Sequence, residues 1–329
     1  MSDFECKNIN ALKIQVNNFL KTLSNTLECD INDLKVKVSA ELEFYLVNKK
    51  GEQLNENLTL ESETIKYLNE VLMTYDYKLN KQNKLNQQNE IVYKTKNSNE
   101  INDTIKKDKT QQIRVESLEE EDGHNQFEVQ FMSTTDPAEL AQNIINFKKI
   151  INETVDVTFL AKPFEKEPTS SLHFHISVYY KDVNLFAKDN PHDESEYHYL
   201  PLYWCIAGLL DLMPKFIKYF APTKNCRERY ILPKREQKYI HYPTRICWGF
   251  NNRTCAIRIP RKPNEDPLNC RIEHRVSSSM ADPYLALYAI FYSMQYGVEQ
   301  ELDAPEPIYT RAFEDDEAGQ LIIELFDKL

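Results

Sequence analysis

The chain has 329 residues, a net charge of -11 and a hydrophobic content of 41%. This content is enough for a substantial core, and the length favours one large α/β or α+β domain or two smaller ones. The acidic balance argues against a nucleic-acid partner, because no segment resembles a basic face. With only 6 glycines, a glycine-rich phosphate loop is excluded, so side chains and metal would have to hold a bound phosphate.

The cysteines and the apolar runs bear on the cellular compartment. The seven cysteines form no CxxC pair, their number is odd, and no leading apolar segment suggests secretion. The richest apolar stretch, Tyr284 to Tyr292, is well short of the roughly 20 residues that span a bilayer. We therefore expect a cytoplasmic protein with reduced thiols and no membrane partner.

The first third of the chain predicts a helix, a strand, a second helix and an insertion. Residues 8–30 carry apolar side chains at helical spacing, and residues 36–47 alternate as a strand. This alternation places Glu41 and Glu43 on one face about 7 Å apart, where they repel unless water screens them or a cation lies between them. Residues 62–78 look helical. Residues 80–112 are rich in Asn, Lys and Gln, which predicts a polar, mobile insertion.

The remainder of the chain alternates between predicted strands and helices. Asp136 before Pro137, and Asp282 before Pro283, are typical helix starts, with a capping Asp and a proline in the first turn. A further helix is predicted over residues 200–220, and the last one ends near residue 297. Strands are predicted over residues 125–132, 155–161, 171–180, 244–250, 253–259 and 269–276.

Two strand patterns collect residues that suit metal or phosphate chemistry. Alternation over residues 172–178 puts His173, His175 and Ser177 on one face, which suits a metal or phosphate site but also two half-exposed histidines. Alternation over residues 271–275 puts Arg271, Glu273 and Arg275 on one face. This second pattern fits either a metal-binding carboxylate flanked by phosphate-neutralising arginines or a salt-bridged solvent face.

Other segments add arginines and carboxylates to this inventory. Arg253 and Arg258 follow a strand pattern, and Arg229 precedes it. Glu121 and Glu128 flank the segment 123–127, although Glu121 taken alone is better explained as part of a solvated acidic run over residues 119–121. Carboxylates with one imidazole suit Mg²⁺ or Mn²⁺, and clustered arginines beside such metals suit phosphoryl transfer from a nucleotide.

From about residue 33 to 300 the chain resembles the catalytic domain of the glutamine synthetase family. The resemblance rests on motifs that occur in the family's order. They are Glu41 to Phe44 (first metal-binding strand), Glu121 to Glu128 (GQxE), Lys162-Pro163 with residues 172–175 (KP…MHxH), residues 252–260 (NRxxxxRIP), and residues 271–275 with 282–285 (RIExR…NPYL). It implies an α+β fold in which a curved, largely antiparallel sheet with flanking helices forms a single catalytic domain over residues 1–329.

The resemblance also implies a role for each site residue. It implies one metal on Glu43, Glu121 (or Glu120, one residue off in register) and Glu128, and a second metal on Glu41, His173 and Glu273. It implies nucleotide contacts from His175, Ser177, Arg253, Arg258 and Arg271, glutamate binding by Arg229, and phosphoryl stabilisation by Arg275. Arg253, Arg275 and His241 are the catalytic candidates.

The implied reaction has two steps: glutamate attacks the γ-phosphate of ATP, and ammonia or another amine then displaces phosphate from the acyl phosphate. Two departures from the family pattern concern the glutamate and amine side. Residues 168–171 stand where the family has an Asn-Gly loop, and His241 stands where it has a flap glutamate that takes a proton from ammonium. We therefore also consider a nucleotide- and metal-binding regulatory protein without ligase activity.

About 35 residues precede the Glu41 strand, so we expect the family's N-terminal β-grasp domain to be missing. In the family, that domain completes the site of the neighbouring subunit. The resemblance therefore implies either a homo-oligomer or a partner chain that supplies the missing domain.

Overall fold

The computed structural model of the chain describes residues 3–59, 62–63, 65–69, 113–187, 200–231, 241–263 and 265–328. Of the helix predicted over residues 62–78, residues 65–69 are helical. Most of the remainder of that helix, and all of the polar insertion predicted over residues 80–112, lie outside the described residues.

In the described part of the chain, a mixed, mostly antiparallel open sheet of nine strands forms the centre of the fold. The strands run in the order β2-β3-β1-β5-β9-β8-β7, with β4 paired to β1 and β6 paired to β5. Among these nine strands, β7 and β8 are the one parallel pair. The strands are β1 (Leu34–Leu46), β2 (Val115–Glu120), β3 (Gln126–Thr134), β4 (Val157–Thr158), β5 (Leu172–Tyr180), β6 (Val183–Asn184), β7 (Arg245–Phe250), β8 (Cys255–Ile259) and β9 (Ile272–His274).

The helices are α1 (Asp3–Thr26), α2 (Pro137–Thr154), α3 (Leu200–Phe220), the single turn α4 (Lys224–Arg227) and α5 (Pro283–Glu299). Helices α2, α3 and α5 begin where the sequence predicts them, whereas the first helix, predicted over residues 8–30, begins at Asp3, and α4 was not predicted. Short 3₁₀ segments cover Ile31–Asp33, Glu228–Tyr230, Pro267–Asn269 and Ile322–Lys328. The Asp136 and Asp282 side chains each accept backbone N–H groups of the following turn, which confirms both as N-caps.

Helices cover the apolar face of the sheet. In β1 the apolar positions are buried and the polar ones between them are more exposed, as alternation predicts. The Phe147 ring of α2 lies 5.8 Å from Phe44 of β1 and 5.6 Å from Phe131 of β3. The polar positions of β1, including Glu41 and Glu43, therefore point to the opposite face.

Helices α3 and α5 cross closely because two glycines lie at the crossing. A Cβ atom at Gly208 would lie 2.1 Å from the Ser293 carbonyl oxygen, and one at Gly297 would lie 2.0 Å from the Trp204 carbonyl oxygen. Any larger residue would force the helices apart. This crossing supports the helical layer behind the sheet.

Several predicted boundaries are wrong. The strand predicted over residues 155–161 is only Val157–Thr158, and that over residues 269–276 is only Ile272–His274. Strand β2 was not predicted, because it lies at the sheet edge and only Leu118 in it is buried. Alternation shows which residues can form a strand but not where a neighbouring strand stops pairing with it.

The prediction that no apolar run approaches bilayer length is wrong for α3. Within the described part of the chain, Leu200–Phe220 is the one helix whose length and hydropathy would suffice to cross a membrane. Most of its apolar stretch is buried inside the protein, and the helix contains Pro214 and packs against α5. Core helices of soluble proteins pass the same test, so this helix is weak evidence for a membrane partner.

The described cysteines agree with the prediction of reduced thiols. Cys205, Cys226, Cys247, Cys255 and Cys270 are free thiols, and all five are buried. None of these five forms a disulfide, as expected in a reducing compartment.

Candidate active site

Cross-strand pairing brings carboxylates and histidines from four strands onto one face of the sheet. Glu41 of β1 is opposite His173 of β5, and Glu43 of β1 is opposite Glu128 of β3. Glu273 of β9 is opposite both His175 of β5 and Arg258 of β8. Directly paired residues have Cβ atoms about 5 Å apart, so their side chains meet.

Two overlapping groups of side chains could each hold a metal ion. Glu41, His173 and Glu273 form one group, and Glu43, Glu128 and His173 form the other, with ligand atoms within 4.8 Å of one another in each. His173 Nδ1 lies 3.6 Å from Glu41 Oε2 and 3.8 Å from Glu273 Oε1. The first group brings together the residues predicted for one of the two metals.

The residues predicted for the other metal, Glu43, Glu121 and Glu128, do not form one group in the structure. Glu43 and Glu128 are grouped with His173 instead of Glu121. Glu121 lines the same cavity as Glu43 and Glu128, whereas Glu120 is not among the lining residues. Because β2 ends at Glu120, the turn that follows it carries Glu121 toward the carboxylates. The geometry favours Glu121 over Glu120 as the additional ligand.

The carboxylates on the β1–β3 side repel one another. Burial, followed by the charges of Glu41, Glu43 and Glu121, raises the pKa of Glu128 to about 9. Burial and the Glu43 charge raise the pKa of Glu121 to about 7. Buried carboxylates with raised pKa values are stabilised in their charged form by a nearby cation.

Nearby histidines and arginines have the opposite effect on the pKa values of Glu41 and Glu273. Burial acts to raise the pKa of Glu41, but His175 and His173 hold that pKa well below its usual range. Burial acts in the same direction on Glu273, and Arg275, the histidines and Arg258 outweigh it. Arg258 Nη1 lies 2.7 Å from Glu273 Oε2, and Arg275 bonds the other oxygen of the same carboxylate.

The donor set fits a hard divalent cation. Four glutamates and one imidazole are grouped on this face, and the described residues of the two groups include no thiolate. Such oxygen-rich sets suit Mg²⁺ or Mn²⁺ better than structural zinc. The charge excess on Glu121 and Glu128 provides an electrostatic reason for a cation to bind there.

The metal-binding groups open into a cavity of about 570 Å³. His241 and four arginines line it together with the carboxylates; the arginines are Arg229, Arg253, Arg258 and Arg275. Arg275 Nη2 donates a 2.6 Å hydrogen bond to the His241 carbonyl oxygen, and Arg258 Nη2 donates one of 2.7 Å to Asn251. The arrangement can therefore neutralise several phosphate oxygens beside a bound metal.

Arg229 is 1% exposed and mostly engaged with backbone. Its Nη1 donates to the Val276 and Ser277 carbonyl oxygens at 2.8 and 3.0 Å, and its Nη2 donates to the Arg275 carbonyl oxygen at 3.2 Å. Its Nε has no hydrogen-bond partner. Arg229 therefore fixes the backbone behind Arg275, and its role in binding a substrate carboxylate stays a prediction.

A second cavity of about 320 Å³ lies beside the first and shares Glu41 with it. His175, Ser177 and Arg271, all predicted nucleotide contacts, line this second cavity. Arg271 Nε donates to His175 Nδ1 at 3.1 Å, and His175 Nε2 lies 3.0 Å from Glu41 Oε1. The predicted nucleotide residues are thus divided between two cavities that meet at Glu41.

Two features of the site have no signal in the sequence. Ser171 binds both oxygens of Glu43, with its backbone N–H at 2.9 Å and its hydroxyl at 2.5 Å. Asp122 lies 3.5 Å from His241, which is distant in sequence. Ser171 could have been suspected only because it replaces part of the family's Asn-Gly loop.

A family model described as "Glutamine synthetase, catalytic domain" matches residues 18–328. The chain is 30% identical over 226 residues to gamma-glutamylputrescine synthetase PuuA of Escherichia coli, covering 66% of this chain and 45% of that protein. It is 28% identical over 211 residues to a glutamine synthetase of Thermococcus kodakarensis, covering 63% and 44%. It is 30% identical over 204 residues to glutamate–methylamine ligase of Methyloversatilis universalis, covering 59% and 43%.

Solved structures share the fold. A GmaS/ADP complex superposes with a TM-score of 0.67 at 20% identity, covering 97% of this chain and 66% of that one. A Plasmodium falciparum glutamine synthetase superposes with a TM-score of 0.63 at 20% identity, covering 98% and 60%. The chain spans a little under half the length of the curated relatives described above.

Proposed function

Because the chain belongs to the glutamine synthetase family, we propose that it is an ATP-dependent ligase that joins the γ-carboxyl group of glutamate to an amine. The γ-carboxylate attacks the γ-phosphate of ATP, the bond from the γ-phosphorus to the bridging oxygen breaks, and ADP leaves as γ-glutamyl phosphate forms. The amine then attacks the acyl carbon, and phosphate leaves.

One observation carries this proposal: carboxylates from three strands converge on His173 of a fourth, within ligand distance of one another and beside the four arginines that line the cavity. A salt-bridged solvent face would not leave Glu128 both buried and surrounded by other carboxylates. Such convergence of acidic groups is costly unless a cation is bound.

The chain's own residues would bind and neutralise the phosphates. Arg253 and Arg258 would hold the nucleotide phosphates, and Arg275 would stabilise the phosphoryl group during transfer. Glu41, Glu43, Glu121, Glu128, His173 and Glu273 would hold two Mg²⁺ or Mn²⁺ ions, which supply charge neutralisation to the phosphates when bound. His175, Ser177 and Arg271 would contact the nucleotide in the second cavity.

The test is release of phosphate from ATP in the presence of Mn²⁺ and glutamate, with ammonia, methylamine and putrescine supplied separately. The two alkylamines are chosen because relatives are named for γ-glutamylputrescine and glutamate–methylamine synthesis. We expect release that requires both glutamate and one of the amines. Release that ignores glutamate, or no release with any amine, would contradict the proposal.

A second candidate is a regulatory protein that binds nucleotide and metal but has lost the ligase reaction. The engagement of Arg229 with three backbone carbonyl oxygens favours it, since a substrate carboxylate would have to share that guanidinium. It predicts that ATP with Mn²⁺ raises the melting temperature while glutamate does not. A further rise on adding glutamate would contradict this candidate.

We also propose that the active form is an assembly. In this proposal a second copy or a partner chain supplies further site residues. Mass measurement of the native protein would distinguish the two. A monomer that catalyses the ligase reaction by itself would contradict the need for a second copy or a partner chain. The cytoplasmic location and the lack of a nucleic-acid partner stay predictions.

A further inference from the structure

The carboxylate of Glu43 accepts hydrogen bonds on both of its oxygens. The Ser171 hydroxyl donates to Oε1 at 2.5 Å, and the Ser171 backbone N–H donates to Oε2 at 2.9 Å. Gln126 Nε2 donates to the same Oε2 at 3.4 Å, which is a longer and weaker contact. Because one serine contacts both oxygens, it fixes the plane of the carboxylate relative to the larger cavity, which Ser171 and Glu43 both line.

The segment that carries Ser171 is held against β1. The Glu43 backbone N–H donates to the Ser171 carbonyl oxygen at 3.0 Å. The Tyr45 hydroxyl donates to the Pro168 carbonyl oxygen at 2.9 Å, which ties residues 168–171 to the same strand. Ser171 is 2% exposed, so solvent does not compete for its hydroxyl. These contacts keep the Ser171 hydroxyl next to the Glu43 carboxylate.

The hydrogen bonds to Glu43 limit how it can bind a cation. A carboxylate has about four lone-pair positions, shared equally between its two oxygens. The donors from Ser171 and Gln126 use both positions of Oε2 and one position of Oε1. Counted over the described residues, the position that remains lies on Oε1. Glu43 is therefore arranged to bind a cation through a single oxygen.

Divalent ions differ in how they use carboxylates. Ca²⁺ takes about six to eight oxygen ligands and often binds both oxygens of one carboxylate, whereas Mg²⁺ requires near-ideal octahedral geometry with shorter bonds. Mn²⁺ also favours octahedral oxygen sites. A carboxylate restricted to one oxygen therefore suits Mg²⁺ and Mn²⁺, and it offers Ca²⁺ fewer ligands than that ion prefers.

We propose that Ser171 is a positioning residue that restricts Glu43 to one-oxygen binding and thereby makes the site select Mg²⁺ or Mn²⁺ over Ca²⁺. This inference rests on the proposed function, because it takes the metal site to be occupied. It goes further by assigning the choice of ion to a residue outside the two metal-binding groups. Without the hydroxyl, the carboxylate is anchored at Oε2 alone. It can then give up the long Gln126 contact and turn both oxygens toward a larger ion.

Ion binding to the metal-free, full-length chain tests this inference without turnover. Mn²⁺ and Ca²⁺ are titrated separately by calorimetry without nucleotide or glutamate, and the ratio of the Ca²⁺ Kd to the Mn²⁺ Kd is compared between proteins. Titration of Glu43→Gln identifies which binding event belongs to the Glu43 group. We expect Ser171→Ala to lower the ratio about tenfold, chiefly by weakening Mn²⁺ binding, as is typical when a partner of a metal ligand is removed.

Three further serine variants separate the hydroxyl contact from a general disturbance of the segment. Ser171→Thr keeps a hydroxyl and should keep the wild-type ratio. Ser170→Ala is the matched control, because the buried Ser170 hydroxyl has no hydrogen-bond partner among the described residues, and it should change neither affinity. Ser171→Cys supplies a weakly donating thiol and should give an intermediate ratio, which keeps the inference testable if Ser171→Ala does not fold.

The outcomes separate the inference from the proposed function. Wild-type protein that binds no Mn²⁺ would contradict both. Mn²⁺ binding with an unchanged ratio in Ser171→Ala would overturn the inference alone. An equal loss of Mn²⁺ and Ca²⁺ affinity would also overturn it, because Ser171 would then support the site without selecting the ion. The expected change in ratio, in a protein that releases no phosphate with any amine, would support the inference and contradict the ligase.

Discussion

The two sides of the site have opposite charge balances. On the β9–β8 side, Glu273 is bound by both Arg258 and Arg275, and these arginines help to hold its pKa below the usual range. On the β1–β3 side, Glu128 faces Glu41, Glu43 and Glu121, and its pKa rises to about 9. Both carboxylates are buried, so burial alone does not explain the difference.

The difference shows where an external cation is required. On the β9–β8 side, the side chains of Arg258 and Arg275 neutralise the Glu273 carboxylate within the protein. Glu121 and Glu128 have no such counter-charge among the residues that raise their pKa values, apart from a weak effect of Arg253 on Glu121. We therefore expect substitutions on the two sides to change stability in opposite directions.

The largest expected effect is on the arginine-bound side. Glu273→Gln leaves Arg258 and Arg275 with an uncompensated buried charge and should lower the free energy of unfolding by about 3–5 kcal/mol. Urea denaturation without metal measures it, with Glu120→Gln as the control at a glutamate outside the cavity. A loss below about 1 kcal/mol would mean that the arginines find other partners.

Glu128→Gln should have the opposite effect without metal. The folded-state pKa lies above the unfolded one, so this carboxyl costs stability progressively as pH rises from about 4.5 to about 9. The substitution should raise the free energy of unfolding by about 1–3 kcal/mol at pH 8 and remove that pH dependence. Denaturant melts at several pH values test it. In wild type, adding Mn²⁺ should cancel the penalty, whereas in the variant it should stabilise little.

His274 tests the other face of the Glu273 strand. It is 0% exposed with neither ring nitrogen hydrogen bonded, and burial, then His173 and Arg229, lowers its pKa to about 3. Because the unfolded-state pKa is near 6.5, stability should fall as pH drops below that value. His274→Leu should reduce this acid-induced loss by about 1–2 kcal/mol at pH 4. An unchanged slope in thermal melts would assign the acid sensitivity to other groups.

The smallest expected effect distinguishes neighbouring glutamates. Glu121→Gln should weaken Mn²⁺ binding about tenfold, or about 1.4 kcal/mol, whereas Glu120→Gln should leave it unchanged. Because the pKa of Glu121 is about 7, the affinity of wild type should also rise with pH through that value, as the carboxylate ionises. Titration calorimetry of both variants provides the measurement. Weakening in Glu120→Gln but not in Glu121→Gln would place the ligand at the end of β2 instead of in the turn.

Local patterns were sufficient for much of the fold. The capping aspartates at 136 and 282 and the alternation in β1 correctly predicted where two helices start and which face carries Glu41 and Glu43. Strand β2 was missed because its edge position leaves only Leu118 buried. The α3 segment passed a membrane test on composition alone, although its apolar residues pack inside the protein.

The order of the motifs along the chain was sufficient to identify the family. Alternation within each strand determined which side chains share a face, because it is a property of neighbouring residues. Only the tertiary structure decided that His173 joins Glu43 and Glu128, that Arg229 bonds backbone, and that Asp122 reaches His241. Those contacts depend on strand order, register and turn geometry, which bring together residues far apart in sequence. The interaction between two charges weakens with distance. The different charge balances of the β9–β8 and β1–β3 sides therefore arise only when the sheet brings these side chains together.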